Sequence, residues 1–386
     1  MLNTLAIANY RSLRSLTLRL GRLNLITGAN GSGKSNLYRA LRLLAETAQG
    51  GVISALAREG GLSSTLWAGP ENITSAMQRG EMPVQGGPRQ QPVALKLGFA
   101  GEDFGYAIDL GLPTPSSSAF HRDPEIKREV IWSGPFLRPS NTLVDRHGAV
   151  ARVRDGKHWR VAAEHLNGFE SIFSQLADPE RAAEVLSLRE SIRGWRFYDH
   201  FRSDAEAPAR RAQTGTRTPV LSHDGHDLAA AWQTIREIGD ARALDHAVED
   251  AFPGAEVQVA IDDERFSLRF NQHGLLRPLE ATEWSDGTLR YLLWIAALHT
   301  PRPPPLMVLN EPETSLHPDL LPALARLIVK ASQRSQVWVV SHAPRLIAAL
   351  ESMPECNIIH LEKDLSQTKI AGQRLLDEPA WHWPER

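Results

Sequence analysis

The sequence predicts an α/β fold in which a mixed sheet with flanking helices is interrupted by an inserted, mainly helical lobe. Two observations predict it. Apolar strands alternate with segments whose apolar residues recur at helical spacing near both ends of the chain. Between them, residues 164–238 show helical spacing and several arginines. Hydrophobic residues make up 42% of the 386 residues, which is enough for a packed core.

The N-terminal elements follow from the spacing of the leucines. Leu16 and Leu18 alternate with polar residues, as in a half-buried strand, and the next apolar run ends at Gly28. Leu37 and Leu41 lie four residues apart, as on one face of a helix. The predicted elements of this part are strands at 16–20, 23–27, 93–99 and 106–110 and a helix at 36–48, with loops at 60–91 and 112–118.

The C-terminal elements are separated by turn residues and prolines. The stiff segment Pro301–Pro305 ends one helix and precedes a short apolar strand. The predicted elements are strands at 256–261, 265–270, 306–309 and 337–340, helices at 289–298 and 320–331, and a hairpin of 357–362 and 367–370. Three segments are therefore predicted: an N-terminal part of the core at 1–115, an inserted helical, arginine-rich lobe at 116–249, and a C-terminal part of the core at 250–386.

Composition excludes several classes of protein. The 43 basic and 45 acidic residues give a net charge of −2, so the chain lacks the overall basic field of a simple nucleic-acid binder. The single cysteine excludes an internal disulfide framework and a cysteine-based zinc cluster. No apolar run approaches the roughly 18 residues of a membrane span, and the start lacks the apolar core of a secretory signal. These features predict a cytoplasmic protein with no membrane partner.

A glycine-rich segment between the strand at 23–27 and the helix at 36–48 fits the pattern G-x-x-x-x-G-K-[ST]. Its glycines let backbone N–H groups point at phosphate oxygens, and the helix start adds a positive end. Lys34 can reach the β- and γ-phosphates, and Ser35 can ligate Mg²⁺. The alternative is a chance glycine-rich turn. The predicted nucleotide-binding residues are Gly28, Ala29, Asn30, Gly31, Ser32, Gly33, Lys34, Ser35 and Asn36.

Two buried strands end in residues that can act on phosphate chemistry. The strand at 306–309 leads into Asn310 and Glu311. P-loop ATPases place a Mg²⁺ ligand and a carboxylate that polarises the attacking water after such a strand. The strand at 337–340 leads to His342, whose imidazole can hydrogen-bond a γ-phosphate. The alternatives are an ordinary strand end facing solvent and a structural histidine.

A fourth motif, Ser285-Asp286-Gly287, precedes the helix at 289–298. Backbone amides at a helix start form an anion-binding nest, which makes these three residues further candidates for phosphate binding. The alternative is a plain helix N-cap by Ser285 or Thr288.

The order of these four motifs resembles that of ABC-type P-loop ATPase heads, in the RecF, SMC, Rad50 and OLD-like branch of AAA_21-type predicted ATPases. The segments that carry the resemblance are NYRSLRSLTLRLGRLNLITGANGSGKSNL, EWSDGTLRYLLWIAALH, LMVLNEPETSLHPDLLPALARLI and VVSHAPRLI. The resemblance implies ATP and Mg²⁺ as cofactors and an ATP-dependent homodimer, in which the signature turn Ser285–Gly287 meets the nucleotide of the partner subunit. It also implies roles for Lys34 and Glu311 in catalysis, His342 as switch histidine and Ser315–His317 as D-loop.

The chain departs from the pattern of this branch at three positions. Asn310 replaces an aspartate and removes a negative charge beside the metal, which would slow hydrolysis. The signature reads Ser-Asp-Gly rather than Ser-Gly-Gly. Gln91 is the candidate for the glutamine that ligates Mg²⁺.

The function implied is that of an ATPase switch in DNA repair, chromosome maintenance or phage defence, and the partners expected are DNA and a separate nuclease or effector. Two alternatives stay open. A non-hydrolysing, nucleotide-dependent scaffold is motivated by Asn310. An ABC transporter subunit would share the motifs, although the long insertion between the phosphate loop and Ser285 is unlike compact transporter subunits.

Two further clusters have competing interpretations. His223–Asp227 has metal-ligand residue types, but a turn that caps a helix is favoured. Six arginines of the middle region could contact DNA phosphates, or could form a solvated face among acidic residues. These are Arg193, Arg196, Arg202, Arg210, Arg211 and Arg217.

Overall fold

The computed structural model describes residues 1–84, 92, 94–115, 117–180, 182–199, 201–374 and 377–386. The chain forms two compact units. Unit 1 comprises Met1–Gly21, Gly28–Gly194 and Ile359–Arg386, and unit 2 comprises Arg22–Thr27 and Trp195–Ile358.

Strands and helices alternate along most of the described chain. The strands are β1 (Leu2–Tyr10), β2 (Leu13–Arg19), β3 (Leu23–Gly28), β4 (Leu95–Gly101), β5 (Phe104–Gly111), β6 (Glu125–Ser133), β7 (Thr142–His147), β8 (Val150–Asp155), β9 (His158–Ala163), β10 (Arg196–Tyr198), β11 (Gln213–Thr214), β12 (Ala255–Asp262), β13 (Arg265–Gln272), β14 (Leu279–Glu280), β15 (Leu306–Asn310), β16 (Gln336–Val340), β17 (Cys356–Asp364) and β18 (Gln367–Ile370). The helices are α1 (Lys34–Thr47), α2 (Val52–Arg58), α3 (Leu62–Thr65), α4 (Ser75–Gln78), α5 (Ile172–Gln175), α6 (Ala183–Arg193), α7 (Leu228–Ile238), α8 (Ala241–Ala251), α9 (Asp286–Leu298), α10 (Leu321–Ser332) and α11 (Pro344–Glu351).

Unit 1 is built on a long antiparallel sheet with the strand order β2-β1-β4-β5-β6-β7-β8-β9. Helix α1 contacts β1 and β4. Its buried face carries Leu37, Leu41 and Leu44, the residues whose spacing predicts the helix. This packing fixes the start of α1, where the phosphate loop ends.

A buried ion pair stabilises the far part of the unit 1 sheet. Glu129 on β6 and Arg146 on β7 are both fully buried, with 2.8 Å between Oε2 and Nη1. The Glu129 carboxylate also accepts hydrogen bonds from the Tyr106 hydroxyl (2.7 Å), the Ser171 hydroxyl (2.6 Å) and the Ile172 N–H (2.9 Å). A buried charge pair is tolerated when such bonds satisfy its remaining polar atoms. The pair therefore ties the sheet to the segment that begins α5.

The C-terminal segment packs on the other face of this sheet. Gly98 leaves room for the Trp381 ring, because a Cβ at that position would lie 2.6 Å from it. The same ring packs edge-on against Trp132, with 5.7 Å between centroids. Arg386 then makes two bonds of 2.8 Å to the buried carboxylate of Asp109. An aromatic contact and a charged contact thus hold this segment on the sheet.

Unit 2 contains parallel strands in the order β10-β15-β16-β3. Its core includes α9, in which every residue from Leu289 to Leu298 is buried, as expected of a helix that is apolar on all sides. A smaller antiparallel sheet joins β11, β13 and β12, and β14 pairs with β13. No helix in the described part of the chain is both long enough and apolar enough to cross a membrane.

The predicted mixed α/β class with flanking helices is confirmed, and the structure adds a large antiparallel sheet. The sequence predicts a mainly helical inserted lobe, but the structure contains four long strands there. Residues 125–163 form β6–β9, which the sequence patterns do not indicate. In β6 and β7 the buried Glu129 and Arg146 contribute to this, because a charged residue at a core position disrupts the alternation expected of a strand. Within the stretch of predicted helical spacing at 164–238, the segment ESIFSQLAD (170–178) forms only the short helix Ile172–Gln175. The strand β1 was not predicted. The three-segment division of the chain stays a prediction.

Candidate nucleotide-binding site

The phosphate loop in unit 1 has the backbone that its glycines predict. Gly28, Gly31 and Gly33 have φ values of 144°, 80° and 111°, a region that side chains other than glycine rarely adopt. Helix α1 begins immediately afterwards at Lys34, and no acidic residue occupies its first turn. The loop therefore leads directly into the positive end of a helix, as a phosphate site requires.

Two of these glycines are also required by close packing against the C-terminal strands of unit 1. A Cβ at Gly28 would lie 2.3 Å from the carbonyl oxygen of Leu361 on β17. A Cβ at Gly33 would lie 2.1 Å from Oγ1 of Thr368 on β18. Backbone conformation and space thus both exclude larger residues at these two positions.

A chain of hydrogen bonds supports the loop from behind. The Asn36 amide donates to the Ser12 hydroxyl (2.8 Å), which lies 2.7 Å from the Thr368 hydroxyl. Thr368 in turn donates to the backbone carbonyl of Ser32 (2.8 Å). Each side chain in this series donates to the next one and the last donates to the loop, so the Asn36 side chain helps to support the loop. We refer to Asn36, Ser12, Thr368 and Ser32 as the loop brace; Ser12 and Thr368 were not predicted, because neither lies in a recognisable motif.

The loop presents groups that fit a phosphate. Lys34 is 8% exposed, and its ammonium donates to the carbonyls of Gly28 (2.6 Å) and Ala29 (3.1 Å). This places a positive charge within the loop. The Ser32 hydroxyl oxygen is buried and, among the described residues, has no hydrogen-bond partner. Ser35 lies exposed in the first helical turn, where its hydroxyl can reach a metal ion. These features fit a nucleotide phosphate with its Mg²⁺.

In unit 2, the ends of the parallel strands β15 and β16 bring Glu311 and His342 together. Nδ1 of His342 lies 3.5 Å from Oε1 of Glu311, and both side chains are about half exposed. Asn310 is the last residue of β15. Glu311 follows with φ of 49°, and its N–H donates to the Val340 carbonyl at 2.8 Å. This left-handed turn directs the chain away from β15 at the carboxylate.

A second carboxylate, not predicted as a site residue, organises this strand end. Glu313 is buried, and its Oε1 accepts three hydrogen bonds: from the Ser341 hydroxyl (2.7 Å), the His342 N–H (2.9 Å) and the Ala343 N–H (3.1 Å). Oε1 also lies 3.5 Å from Nδ1 of His342. Glu313 therefore holds the segment after β16 to the segment after β15 and fixes the position of His342. The sequence signal was a second glutamate two residues after Glu311.

The signature turn of unit 2 is a helix N-cap with an exposed face. The Ser285 hydroxyl accepts from the Thr288 N–H (3.1 Å) at the start of α9, so the capping alternative is correct for this side chain. A Cβ at Gly287 would lie 3.0 Å from the carbonyl of Ser315, which brings the D-loop against the turn. A groove of about 670 Å³ lies beside both. The free helix start and this groove remain compatible with a phosphate ligand.

Two buried arginines hold this turn in place. Arg210 donates to the carbonyls of Ala281 (2.6 Å) and Trp284 (2.8 Å) and to the Asp286 carboxylate (3.0 Å). Arg290 donates to the Thr314 carbonyl at 3.1 Å, just before the D-loop, and its burial lowers the pKa of the guanidinium. Neither was predicted for this role. Arg210 was a candidate DNA contact, and that assignment is wrong because the side chain is buried within unit 2.

The remaining candidates have structural explanations. Arg202 makes two bonds to Asp204, and Arg211 is paired with Glu206, as the solvated-face interpretation requires. In the His223–Asp227 turn, the hydrogen bond to Asp224 raises the pKa of His226. Among the described residues there is no cluster of three or more potential metal ligands. Gln91 lies outside the described residues.

The model of the AAA_21 family, described as "AAA domain, putative AbiEii toxin, Type IV TA system", matches residues 23–348. The chain belongs to the AAA_21 family. Because the match spans most of the chain, it includes the phosphate loop, the signature turn and both strand ends. A comparison with the sequences of curated proteins gives no match.

The fold of this AAA_21 protein is similar to that of SMC head domains. An SMC head bound to the C-terminal winged-helix domain of ScpA has a TM-score of 0.52 at 14% identity, over 97% of this chain and 98% of that chain. The SMC head of Thermotoga maritima gives 0.48 at 13% identity, over 97% and 99% of the two chains. An SMC head with an extended coiled coil, bound to the C-terminal domain of ScpA derived from Pyrococcus furiosus, gives 0.49 at 12% identity, over 96% and 95%. The predicted membership of the AAA_21 family is confirmed, and so is the predicted similarity of the fold to SMC ATPase heads.

Proposed function

We propose that this AAA_21 protein binds ATP with Mg²⁺ and hydrolyses it. The observation that carries the proposal is the phosphate loop. A buried Lys34 ammonium, a Ser32 hydroxyl with no hydrogen-bond partner among the described residues, and the open start of α1 lie together there. Membership of a P-loop ATPase family implies a nucleotide and usually Mg²⁺. When bound, the metal neutralises charge that develops on the phosphates, and Ser35 is the residue of the loop that would hold it.

In this proposal, Glu311 and His342 act on the reacting phosphate. Glu311 is a half-exposed carboxylate that can accept a proton from an attacking water. His342 can donate a hydrogen bond to the γ-phosphate, and its backbone position is fixed by Glu313. Nδ1 of His342 lies 3.5 Å from Oε1 of Glu311, so both groups can face the same phosphate.

We further propose that ATP drives formation of a homodimer through the signature turn. Support comes from the exposed groove beside Ser285, Gly287 and the D-loop, which is large enough for phosphate groups of a nucleotide. Buried arginines hold the turn rigid, which lowers the cost of docking a partner subunit.

The test is steady-state phosphate release together with ATP binding and molar mass in solution. Glu311→Gln is expected to bind ATP normally, lose about 100-fold or more in turnover, and accumulate as an ATP-bound dimer. Lys34→Ala is expected to lose ATP binding. Glu351→Gln, an exposed glutamate at the end of α11, is the matched control and should behave as wild type. Absence of ATP binding by the wild-type protein would refute the proposal.

A second candidate function is favoured by Asn310. With an amide in place of a carboxylate at the end of β15, the metal is held less firmly, and the protein would act as a nucleotide-dependent scaffold that does not hydrolyse ATP. ATP-dependent dimerisation with background phosphate release identifies this case. Asn310→Asp separates the two, because it should raise turnover only if metal binding limits hydrolysis.

The biological setting that we propose is cytoplasmic, in DNA repair, chromosome maintenance or phage defence, with DNA or a separate nuclease or effector as partner. The support is the resemblance to the SMC and RecF-like branch, and the family description, which names a toxin of a toxin–antitoxin system. Five of the six candidate arginines give little support, because Arg210 is buried and Arg193, Arg202, Arg211 and Arg217 are paired with acidic residues. Binding to duplex DNA, measured with and without ATP at several salt concentrations, tests this setting.

A further inference from the structure

A pocket of about 510 Å³ lies on one face of the unit 1 sheet, between β6–β9 and the segment His382–Glu385. We refer to it as the sheet-face pocket. It shares no residue with the phosphate loop or the loop brace. Its size is within the range of small-molecule sites, and about that of a single nucleotide.

The strand register places the lining residues on one face. Asp145 on β7 is directly opposite Arg152 on β8, and Arg154 is directly opposite Trp159 on β9. Directly opposite residues share a face, and residues two apart on a strand do as well. Arginine and tryptophan side chains are therefore presented together on this face, which is opposite to that of the buried Glu129–Arg146 pair.

Trp159 forms a rigid aromatic wall of the pocket. The indole is 39% exposed, and the guanidinium of Arg154 lies over its ring at 4.6 Å from the centroid. Arg154 is held in turn by hydrogen bonds to the carbonyls of Thr142 (3.2 Å) and Pro139. The ring orientation is thus fixed before any ligand binds, and a planar ring stacked on Trp159 would extend the stack that Arg154 begins.

The lining contains three arginines and two carboxylates, Asp145 and Glu385, so its formal charge is +1. Arg128 is ion-paired with Asp145 at 2.9 Å. Arg138 and Arg152 are exposed, and neither forms an ion pair with any described residue. An aromatic wall beside two such cations matches a ligand with both a planar ring and a phosphate.

We propose that the sheet-face pocket binds a nucleotide unit, with its base stacked on Trp159 and its phosphate held by Arg138 and Arg152. The ligand is either a nucleotide of a single-stranded nucleic acid or a free nucleoside monophosphate, which share this chemistry. A duplex does not fit, because its bases are stacked on each other and cannot reach the indole. This site is independent of ATP binding and hydrolysis.

The test is fluorescence anisotropy of a labelled oligo(dT) 12-mer with the full chain, in the absence of ATP. Trp159→Ala should weaken binding about tenfold or more, and Trp159→Phe should retain most of it. Arg138→Gln with Arg152→Gln should lower the slope of log affinity against log salt by about 1.4, as expected for two phosphate contacts on a single strand. Unlabelled dTMP is the competitor, because a monophosphate lacks the β- and γ-phosphates that the phosphate loop recognises.

The matched control is Arg160→Gln on the same strand. Arg160 follows Trp159 directly and pairs with the buried Val153, so it belongs to the opposite face of the sheet. It should bind like wild type. Because Trp159 is only 39% exposed, Trp159→Ala should lower the unfolding midpoint in urea, whereas the two arginine variants and Arg160→Gln should match wild type. Binding is therefore compared without urea, where circular dichroism should show every variant folded. Competition by dTMP that is lost in Trp159→Ala would assign the pocket to free nucleotides, and binding by the 12-mer alone would assign it to a strand. Absence of binding by wild type, equal losses in Arg160→Gln, or equal affinity for a duplex would overturn the proposal.

Discussion

Replacing Glu311 or Glu313 by alanine is expected to have two different effects: one replacement lowers the proposed ATP hydrolysis, and the other lowers the stability of the fold. Glu311 is 47% exposed as a side chain, whereas Glu313 is 6% exposed. Oε1 of Glu313 accepts bonds from Ser341, His342 and Ala343. Glu313→Ala should therefore destabilise the fold, and Glu311→Ala should remove hydrolysis without unfolding the protein.

The magnitude follows from the bonds lost. Glu313→Ala removes three hydrogen bonds to a charged acceptor and leaves the backbone N–H groups of His342 and Ala343 without it. At a net value of about 1.5 kcal/mol for each bond to a charged group, the free energy of unfolding should fall by about 4–5 kcal/mol. Glu311→Ala removes a half-exposed side chain, so its effect should stay within about 0.5 kcal/mol.

Urea unfolding followed by tryptophan fluorescence measures this difference, since Trp338 is buried in β16 beside the affected segment. Glu313→Gln, which keeps an acceptor but loses the charge, should give an intermediate value. Equal unfolding free energies for Glu313→Ala and wild type would refute the structural role of Glu313. A large loss of unfolding free energy in Glu311→Ala would show that this side chain stabilises the fold, which would contradict a role in hydrolysis alone.

Three further predictions concern other parts of the molecule. Thr368→Ala breaks the loop brace and should weaken ATP binding about fivefold, or about 1 kcal/mol, in calorimetric titration, whereas Thr368→Ser should not. Arg146→Met leaves the Glu129 charge buried and unpaired, so the free energy of unfolding in urea should fall by about 3–5 kcal/mol, with part recovered by adding Glu129→Leu. Burial lowers the pKa of His299, so the unfolded chain binds its proton first as the pH falls below about 6.5, and stability decreases. His299→Asn should reduce the loss between pH 7.5 and 5.5, by up to about 1.4 kcal/mol for each pH unit below 6.5, in urea unfolding at both pH values.

The motif-bearing elements could be predicted because local spacing alone defines them. The apolar runs that precede Gly28, Asn310 and Ser341 correspond to β3, β15 and β16, and the leucines after Lys34 correspond to α1. The residue types at these strand ends identified Glu311 and His342 as candidates for phosphate chemistry. The structure places Oε1 of Glu311 3.5 Å from Nδ1 of His342. Their pairing needs only that neighbouring parallel strands end at the same edge.

The supporting residues could not be predicted, because their partners are distant in sequence. Ser12 and Thr368 meet only once β2 and β18 are in contact. Arg210 resembles a surface residue in a polar loop until the carbonyls that it binds are positioned. The strand β6 carries Glu129 toward the core, which contradicts the pattern on which strand prediction depends.

The loop brace also has a consequence for the order of events during synthesis. The phosphate loop emerges from the ribosome early, but Thr368, which supports Ser32, lies 336 residues later. At 5–20 residues per second, about 20–70 s pass between the two. During that interval the loop lacks its support. Under the proposed function, the site therefore reaches its full affinity for ATP only after the last strands of unit 1 have been made. A nascent chain stalled before Thr368 should bind ATP weakly, which would keep incomplete molecules out of the nucleotide-driven cycle.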